Sequence, residues 1–166
     1  MIGRLQGRLL ARDEAVILVD VGGIAYEVEV SAPTLYQLPE TGKEIVLHTH
    51  FIVREDAHLL FGFLELAERN LFRLLIKANG IGPKLALNVL SGTTPASFRA
   101  AVAHGDVKAL SCISGVGKKT AERIVVELKD KLGDETALTS GAAATADDQK
   151  MADAISALIA LGSKPK

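Results

Sequence analysis

The sequence predicts an α+β chain in two folded parts, a small five-stranded β-barrel followed by an all-α segment. Three observations carry this. Apolar and polar residues alternate through residues 1–63, then apolar residues recur at helical spacing through residues 64–133. Glycines and prolines stand where hairpin turns and helix starts need them. The charge changes sign at the same boundary: residues 1–63 carry nine Asp/Glu and five Lys/Arg, whereas residues 64–133 carry six and eleven. The net charge of −1 over 166 residues hides this layout. A basic middle between acidic flanks suits phosphate binding, which needs local rather than global positive charge.

Hydrophobic residues make up 48% of the chain, enough for a buried core and too many for global disorder. The single cysteine, Cys112, excludes an internal disulfide and a thiolate zinc site. It sits among apolar positions without a histidine nearby and reads as core, not as a nucleophile. No apolar run reaches the about 18 residues that span a bilayer. Met1-Ile2-Gly3-Arg4 leads into no long apolar region, so no signal peptide is expected and a soluble cytoplasmic protein is.

In the first part, Ile2–Leu10 reads as a strand, with Gly3 and Gly7 marking a bend or a close backbone approach. Val16–Val21 is apolar and β-branched. Ile24–Val30 alternates strictly, and Gly22-Gly23 between them suits the positive φ of a hairpin turn. Pro33–Leu38 forms one helical turn. Glu44–Val53 and His58–Phe63 make a last hairpin around Arg54-Glu55-Asp56-Ala57. Five strands in this length suit a barrel of the OB type. An SH3-like barrel or an open meander fits the pattern nearly as well.

In the second part, Leu71, Phe72, Leu75 and Ile76 form one helical stripe. Pro83 opens a helix that Gly92 closes. Thr94-Pro95 opens another that Gly105 stops, and Asp106 caps a short helix through Cys112. Lys118–Leu132 places Ala121, Ile124, Val125, Leu128 and Leu132 on one face, with Gly133 as the expected stop. Residues 134–147, rich in Ala, Thr, Ser and Gly, read as a flexible linker. Residues 148–166 hold one amphipathic helix with Met151, Ile155, Leu158 and Ile159 on a face and Gly162 at its end. An isolated helix of about 14 residues is marginal, so this stripe implies a partner surface or further helices.

An internal repeat carries the chemistry. Asn79-Gly80-Ile81-Gly82-Pro83-Lys84-Leu85-Ala86 matches Ser114-Gly115-Val116-Gly117-Lys118-Lys119-Thr120-Ala121 at an offset of 35 residues. A turn that must approach a phosphate needs bare backbone, and glycine removes the Cβ that would hold the phosphate away. The helix that follows aims its N-terminal N–H groups and positive dipole end at the anion. Ile81 and Val116 can pin each turn into the core, while Lys84 and Lys119 add full charge. Such contacts position a nucleic-acid backbone without reading bases. Competing motifs fail on spacing. A dinucleotide fingerprint needs a third glycine where Leu85 and Thr120 stand, and a P-loop needs glycine at Cys112 and Ser/Thr at Lys119. No cofactor and no ATP site are expected.

These residues resemble the tandem helix-hairpin-helix motifs of the RuvA family. So do Met1-Ile-Gly-Arg-Leu5, His50-Phe-Ile-Val-Arg-Glu-Asp56 and Gly62-Phe63, and the likeness runs closely over about residues 1–132 and weakly over 148–166. The resemblance implies a non-enzymatic subunit that binds four-way junction DNA and holds it open for an ATP-driven motor. The DNA-binding residues would be Asn79, Gly80, Gly82, Lys84, Gly115, Gly117, Lys118, Lys119, Thr120 and Arg123. It also implies a homotetramer, or two sandwiching the junction, with the RuvB hexameric ATPase and the RuvC resolvase as partners and no membrane. RuvB would meet a C-terminal helical domain, here at Leu158, Ile159 and Leu161. The chain ends at Lys166, inside that expected domain, and is expected to be truncated there.

Read from the residues alone, Glu55-Asp56 is a solvated turn or, with His48, His50 or His58, a metal site. The resemblance makes it an acidic pin at the centre of the four-fold assembly, where carboxylates repel crossing phosphates. No metal ligand set and no catalytic residue is assigned. The alternative function, a DNA-anchoring fragment of a repair nuclease or ligase, has Glu55-Asp56 as its only candidate acid pair.

Overall fold

Alternating β-branched residues and two glycine turns wind the first 63 residues into a closed barrel. In the computed structural model the described residues are 1–139, with the side chains of residues 130 and 133–139 left aside. Strands β1 (Arg4–Asp13), β2 (Val16–Val21), β3 (Ile24–Val30), β4 (Glu44–Val53) and β5 (His58–Phe63) are ordered β1-β2-β3-β5-β4. β1 pairs with β4 to close the circle, and β3 meets β5 in parallel through Glu29↔Phe61 and Val30↔Gly62. Closure, with the small helix α1 (Ala32–Gln37) between β3 and β4, gives the OB-like arrangement and removes the open meander. Inward-facing Leu5, Leu9, Ile17, Val19, Val28, Val30, Ile45, Leu47 and Leu60 fill the interior.

The turns follow local chemistry. Gly22 and Gly23 both take positive φ, 63° and 93°, as a tight hairpin with right-handed strand twist requires. Gly7 lies where β1 crosses β2 so closely that a Cβ would stand 2.1 Å from the Asp20 carbonyl oxygen. Gly3 has open space around it and lies before the strand. The first strand is thus shifted from the expected 2–10 and runs to Asp13. Leu10 alternates outward from buried Leu9, the register with β2 shifts between Leu9 and Ala11, and Glu14 (φ 43°) makes the turn into β2.

The helices are α2 (Leu66–Leu75), α3 (Pro83–Gly92), α4 (Pro95–His104), α5 (Val107–Ser111) and α6 (Lys118–Thr139). Thr94 and Asp106 cap α4 and α5 through their side-chain oxygens, and Gly105 ends α4 in the left-handed conformation. Two expectations are corrected. Cys112 is exposed, not core: it stands at the end of α5, where Leu110 and Ile113 on either side take the inward positions. α6 also runs through Gly133 to Thr139, into the segment expected as linker. Glycine stops a helix by turning left-handed; inside a helix it costs only about 1 kcal/mol relative to alanine. The remainder of the expected linker and the final helix, with Leu158, Ile159 and Leu161, lie outside the described residues.

Met1–Leu128 form one compact unit, and a second begins at Lys129. Within the first, α2 joins the barrel to the other helices. Phe72 packs on Phe61 and Phe63 at ring distances of 4.9 and 5.0 Å and meets His50 edge-on at 5.7 Å. Arg73 Nε donates to His50 Nδ1 (3.2 Å) and Nη2 to Thr49 O (3.4 Å), while Arg69 Nη1 donates to Gly3 O (3.2 Å). Burial holds the His50 imidazole below its usual pKa of 6.5, and the Arg73 and Arg69 cations lower it further.

Two outcomes follow from this packing. Gly7→Ala costs at least about 2 kcal/mol in chemical denaturation because rigid backbone meets the new methyl, whereas Gly3→Ala stays within about 0.5 kcal/mol. A lowered folded-state pKa at His50 means the unfolded chain takes up protons first. The native protein therefore loses stability as pH falls through 6.5 toward that lower value. Denaturation midpoints compared with those of His50→Gln across pH 5–8 should diverge on the acid side of this window.

Candidate nucleic-acid interface

The two sequence repeats fold as two copies of one turn. Ala78 N–H donates to Leu75 O (2.9 Å), Ile81 N–H to Ala78 O (3.2 Å) and Ala86 N–H to Gly82 O (3.0 Å). At the 35-residue offset, Ile113 N–H donates to Leu110 O (3.2 Å), Val116 N–H to Ile113 O (3.0 Å) and Ala121 N–H to Gly117 O (2.9 Å). Gly80 and Gly115 have φ values of 82° and 83°, a region that residues with a Cβ rarely adopt. Ile81 and Val116 are buried, so each turn is pinned between its glycines as the sequence suggests.

Gly82 and Gly117 differ from their partners. Neither has positive φ, and a Cβ built at either meets nothing within 4 Å. The protein's own packing does not demand glycine there; a group approaching from outside would. Gly82 is the N-cap of α3 and has no side chain to accept the first-turn N–H groups. Neither α3 nor α6 has an acidic residue in its first turn, where the dipole favours one. Lysines stand there instead: Lys84 in α3, Lys118 and Lys119 in α6, all exposed or partly so. Cations beside a positive dipole end are unfavourable until an anion joins them, and this arrangement provides a place for one.

Thr120 is half-buried in the first turn of α6. Arg123, expected among the DNA contacts, has Nη1 donating to Asn79 O at 3.3 Å. Asn79 N–H donates to Glu127 Oε2 at 3.0 Å, and Glu127 is a residue the sequence did not single out. Nothing in its spacing marked it, because its partner lies 48 residues away. Of the basic residues that made the middle segment positive, Arg69 and Arg73 are engaged with the barrel.

Glu55 and Asp56 are exposed in the β4–β5 turn, which Arg54 N–H closes on Ala57 O at 2.8 Å. His50 is occupied by Arg73, and His58 packs edge-on against Phe51 at 5.6 Å. Among the described residues, no group of three His, Cys, Asp or Glu side chains comes together. No helix among them is long and apolar enough to cross a membrane. A cavity of about 430 Å³ lies between Pro33, Glu68 and Thr94, away from the hairpin glycines and lysines. In it, burial raises the carboxyl pKa of Glu68, whose oxygen accepts from Thr34 Oγ1 at 3.5 Å.

Residues 1–62 match the family described as RuvA N terminal domain, and residues 72–130 match the SAM-like helix-hairpin-helix tandem. Over 172 residues the chain is 49% identical to the Holliday junction branch migration complex subunit RuvA of Thioalkalivibrio sulfidiphilus, covering 100% of this chain and 86% of that protein. It is 50% identical over 176 residues to the protein of the same name from Cronobacter sakazakii, and 47% to that of Escherichia coli O139:H28, with the same coverage of both chains.

The clearance at the second glycines separates binding from folding. Gly82→Ala with Gly117→Ala should lower the thermal midpoint only by the small cost of weaker helix N-caps and weaken DNA binding well beyond that, since only an approaching phosphate meets the new methyls. Lys84→Ala with Lys119→Ala should lower the slope of log affinity against log salt by about 0.9 for each duplex phosphate that is no longer neutralised. Binding isotherms over a salt series, with melting curves of the same samples, check both.

Proposed function

The chain belongs to the RuvA family, and from that premise we propose that it binds four-way junction DNA through its two glycine hairpins. The supporting observation is the pair Gly82 and Gly117, bare where the fold leaves room for a Cβ, each at the start of a helix with lysine in its first turn. Phosphate oxygens accept from the first-turn N–H groups, from the Asn79 side-chain amide and from Gly80, Gly115 and Thr120, while Lys84, Lys118 and Lys119 neutralise charge. Recognition of this kind reads backbone position, not base identity.

One protomer has two hairpins, which grip one or two duplex arms. Four arms therefore require several copies, and a four-fold homotetramer supplies them, with a second tetramer on the opposite face of the junction as an extension. In that assembly Glu55 and Asp56 from each copy surround the crossing point. Their carboxylates repel phosphates there, which favours an open junction, guides each strand into its new duplex and disfavours an uninterrupted duplex across the centre. The protein itself performs no bond chemistry. A separate ATPase, RuvB, drives branch migration, and the RuvC resolvase acts on the same open junction.

The test is a gel shift of four-way junction against linear duplex of equal length, at matched salt, with a native mass of the complex. Preference for the junction and a mass in multiples of four protomers are expected. Equal affinity for both DNAs would contradict the reading. Glu55→Gln with Asp56→Asn should keep or tighten junction binding and reduce the junction-to-duplex ratio. As exposed charges, they should move stability by no more than about 0.5 kcal/mol.

A further inference from the structure

The two hairpins are built alike but are not supported alike. Arg123 and Glu127 lie one turn apart on α6, and both reach back to Asn79, the residue that opens the first hairpin. Glu127 Oε2 accepts the Asn79 N–H at 3.0 Å, and Arg123 Nη1 donates to the Asn79 carbonyl at 3.3 Å. A Cβ on Gly80 would stand 3.0 Å from that same guanidinium nitrogen, so the arginine lies directly against the bare turn. At the 35-residue offset, the residues facing the second hairpin would be Asn88 and Gly92. Asn88 Nδ2 would lie 3.7 Å from a Cβ on Gly115, but Gly92 has no side chain to reach the backbone of Ser114.

From this asymmetry we infer that Glu127, acting with Arg123, is a positioning residue that sets the pose of the first hairpin for phosphate binding. The inference rests on the reading that the hairpins grip DNA. The carboxylate uses up one backbone N–H and places negative charge behind a turn meant for an anion. By charge alone it would oppose binding. Its benefit is geometric: a charge-assisted hydrogen bond on the N–H and a second bond on the carbonyl of one residue fix the peptide that leads into Gly80. α6 begins at the second hairpin with Lys118 and Lys119 and holds the first hairpin through Arg123 and Glu127. One helix therefore sets the spacing of both grips.

The experiment uses the full chain and a junction annealed from four synthetic strands. Glu127→Ala should weaken junction affinity about tenfold, the equivalent of one charge-assisted hydrogen bond. The salt slope should be unchanged, because every cation that meets phosphate is still present. Glu127→Gln keeps an acceptor oxygen and should restore affinity. In the free protein, amide hydrogen exchange at Asn79 should speed up in Glu127→Ala and stay slow in Glu127→Gln, a readout independent of DNA. Tighter binding by both variants would mean that the carboxylate merely repels phosphate and would overturn the proposal. So would unchanged affinity in Glu127→Ala, unchanged exchange at Asn79, or a loss that tracks a lowered melting point. Lys118→Ala with Lys119→Ala, run alongside, separates the two ideas. If that variant leaves the salt slope intact, the phosphate reading fails, whereas the exchange data still decide whether Glu127 holds the turn.

Discussion

Two buried side chains, Ile81 and Val116, hold the glycine turns against the helical core, and the geometry of the proposed interface depends on them. Each sits between two glycines that cannot anchor themselves. Burying an aliphatic side chain of this size contributes about 1.5–3 kcal/mol, which offsets part of the entropy lost in ordering a glycine-rich loop. With the apolar residue fixed, the preceding glycine must take positive φ and the following one must begin a helix. Lysines then stand in the first turns of both helices, and no side chain caps the first donors of α3. The site is therefore a property of backbone placement, and its side chains add charge to a shape already made.

The barrel gives that shape a fixed base. Phe72 reaches the barrel aromatics from the same helix that leads into the first hairpin, and Arg69 and Arg73 bind carbonyls and an imidazole of the barrel wall. Ala32 N–H donates to Ser91 Oγ at 3.1 Å, tying α1 to α3. Motion of the hairpins relative to the barrel would break these contacts together. Such rigidity suits recognition by shape, where phosphate positions must match donors set in advance. It also separates charge: acidic residues occupy a barrel turn and lysines the helix starts, the layout that the proposed attraction of duplex arms and repulsion at their crossing requires.

Much of this was legible in the sequence because glycine and alternation are strong local signals. The barrel hairpin at Gly22-Gly23, the capped starts at Thr94 and Asp106 and the paired turns at Gly80 and Gly115 all lie where residue type dictates φ or a capping bond. What escaped depends on tertiary contact or on weak preferences. The choice among barrel types rests on the parallel β3–β5 pairing, which joins strands distant in the chain and leaves no local mark. Glu14 makes a left-handed turn without glycine. Cys112 looked apolar, yet a helix as short as α5 has room inside for Leu110 and little more. Gly133 has the residue type of a stop, but the chain continues helical past it. Glu127 was invisible because its role is defined by a partner in the other repeat.

Everything proposed for this protein turns on whether backbone amides at the two hairpins meet phosphate. The most direct test is the change in amide NMR signals as four-way junction DNA is titrated into isotope-labelled protein at matched salt. The largest shifts are predicted at Gly80, Gly82 and Lys84 and at Gly115, Gly117 and Lys119, with β1 and β2 little changed. Shifts concentrated on the outer barrel strands, with both sets of hairpin amides silent, would contradict the phosphate reading.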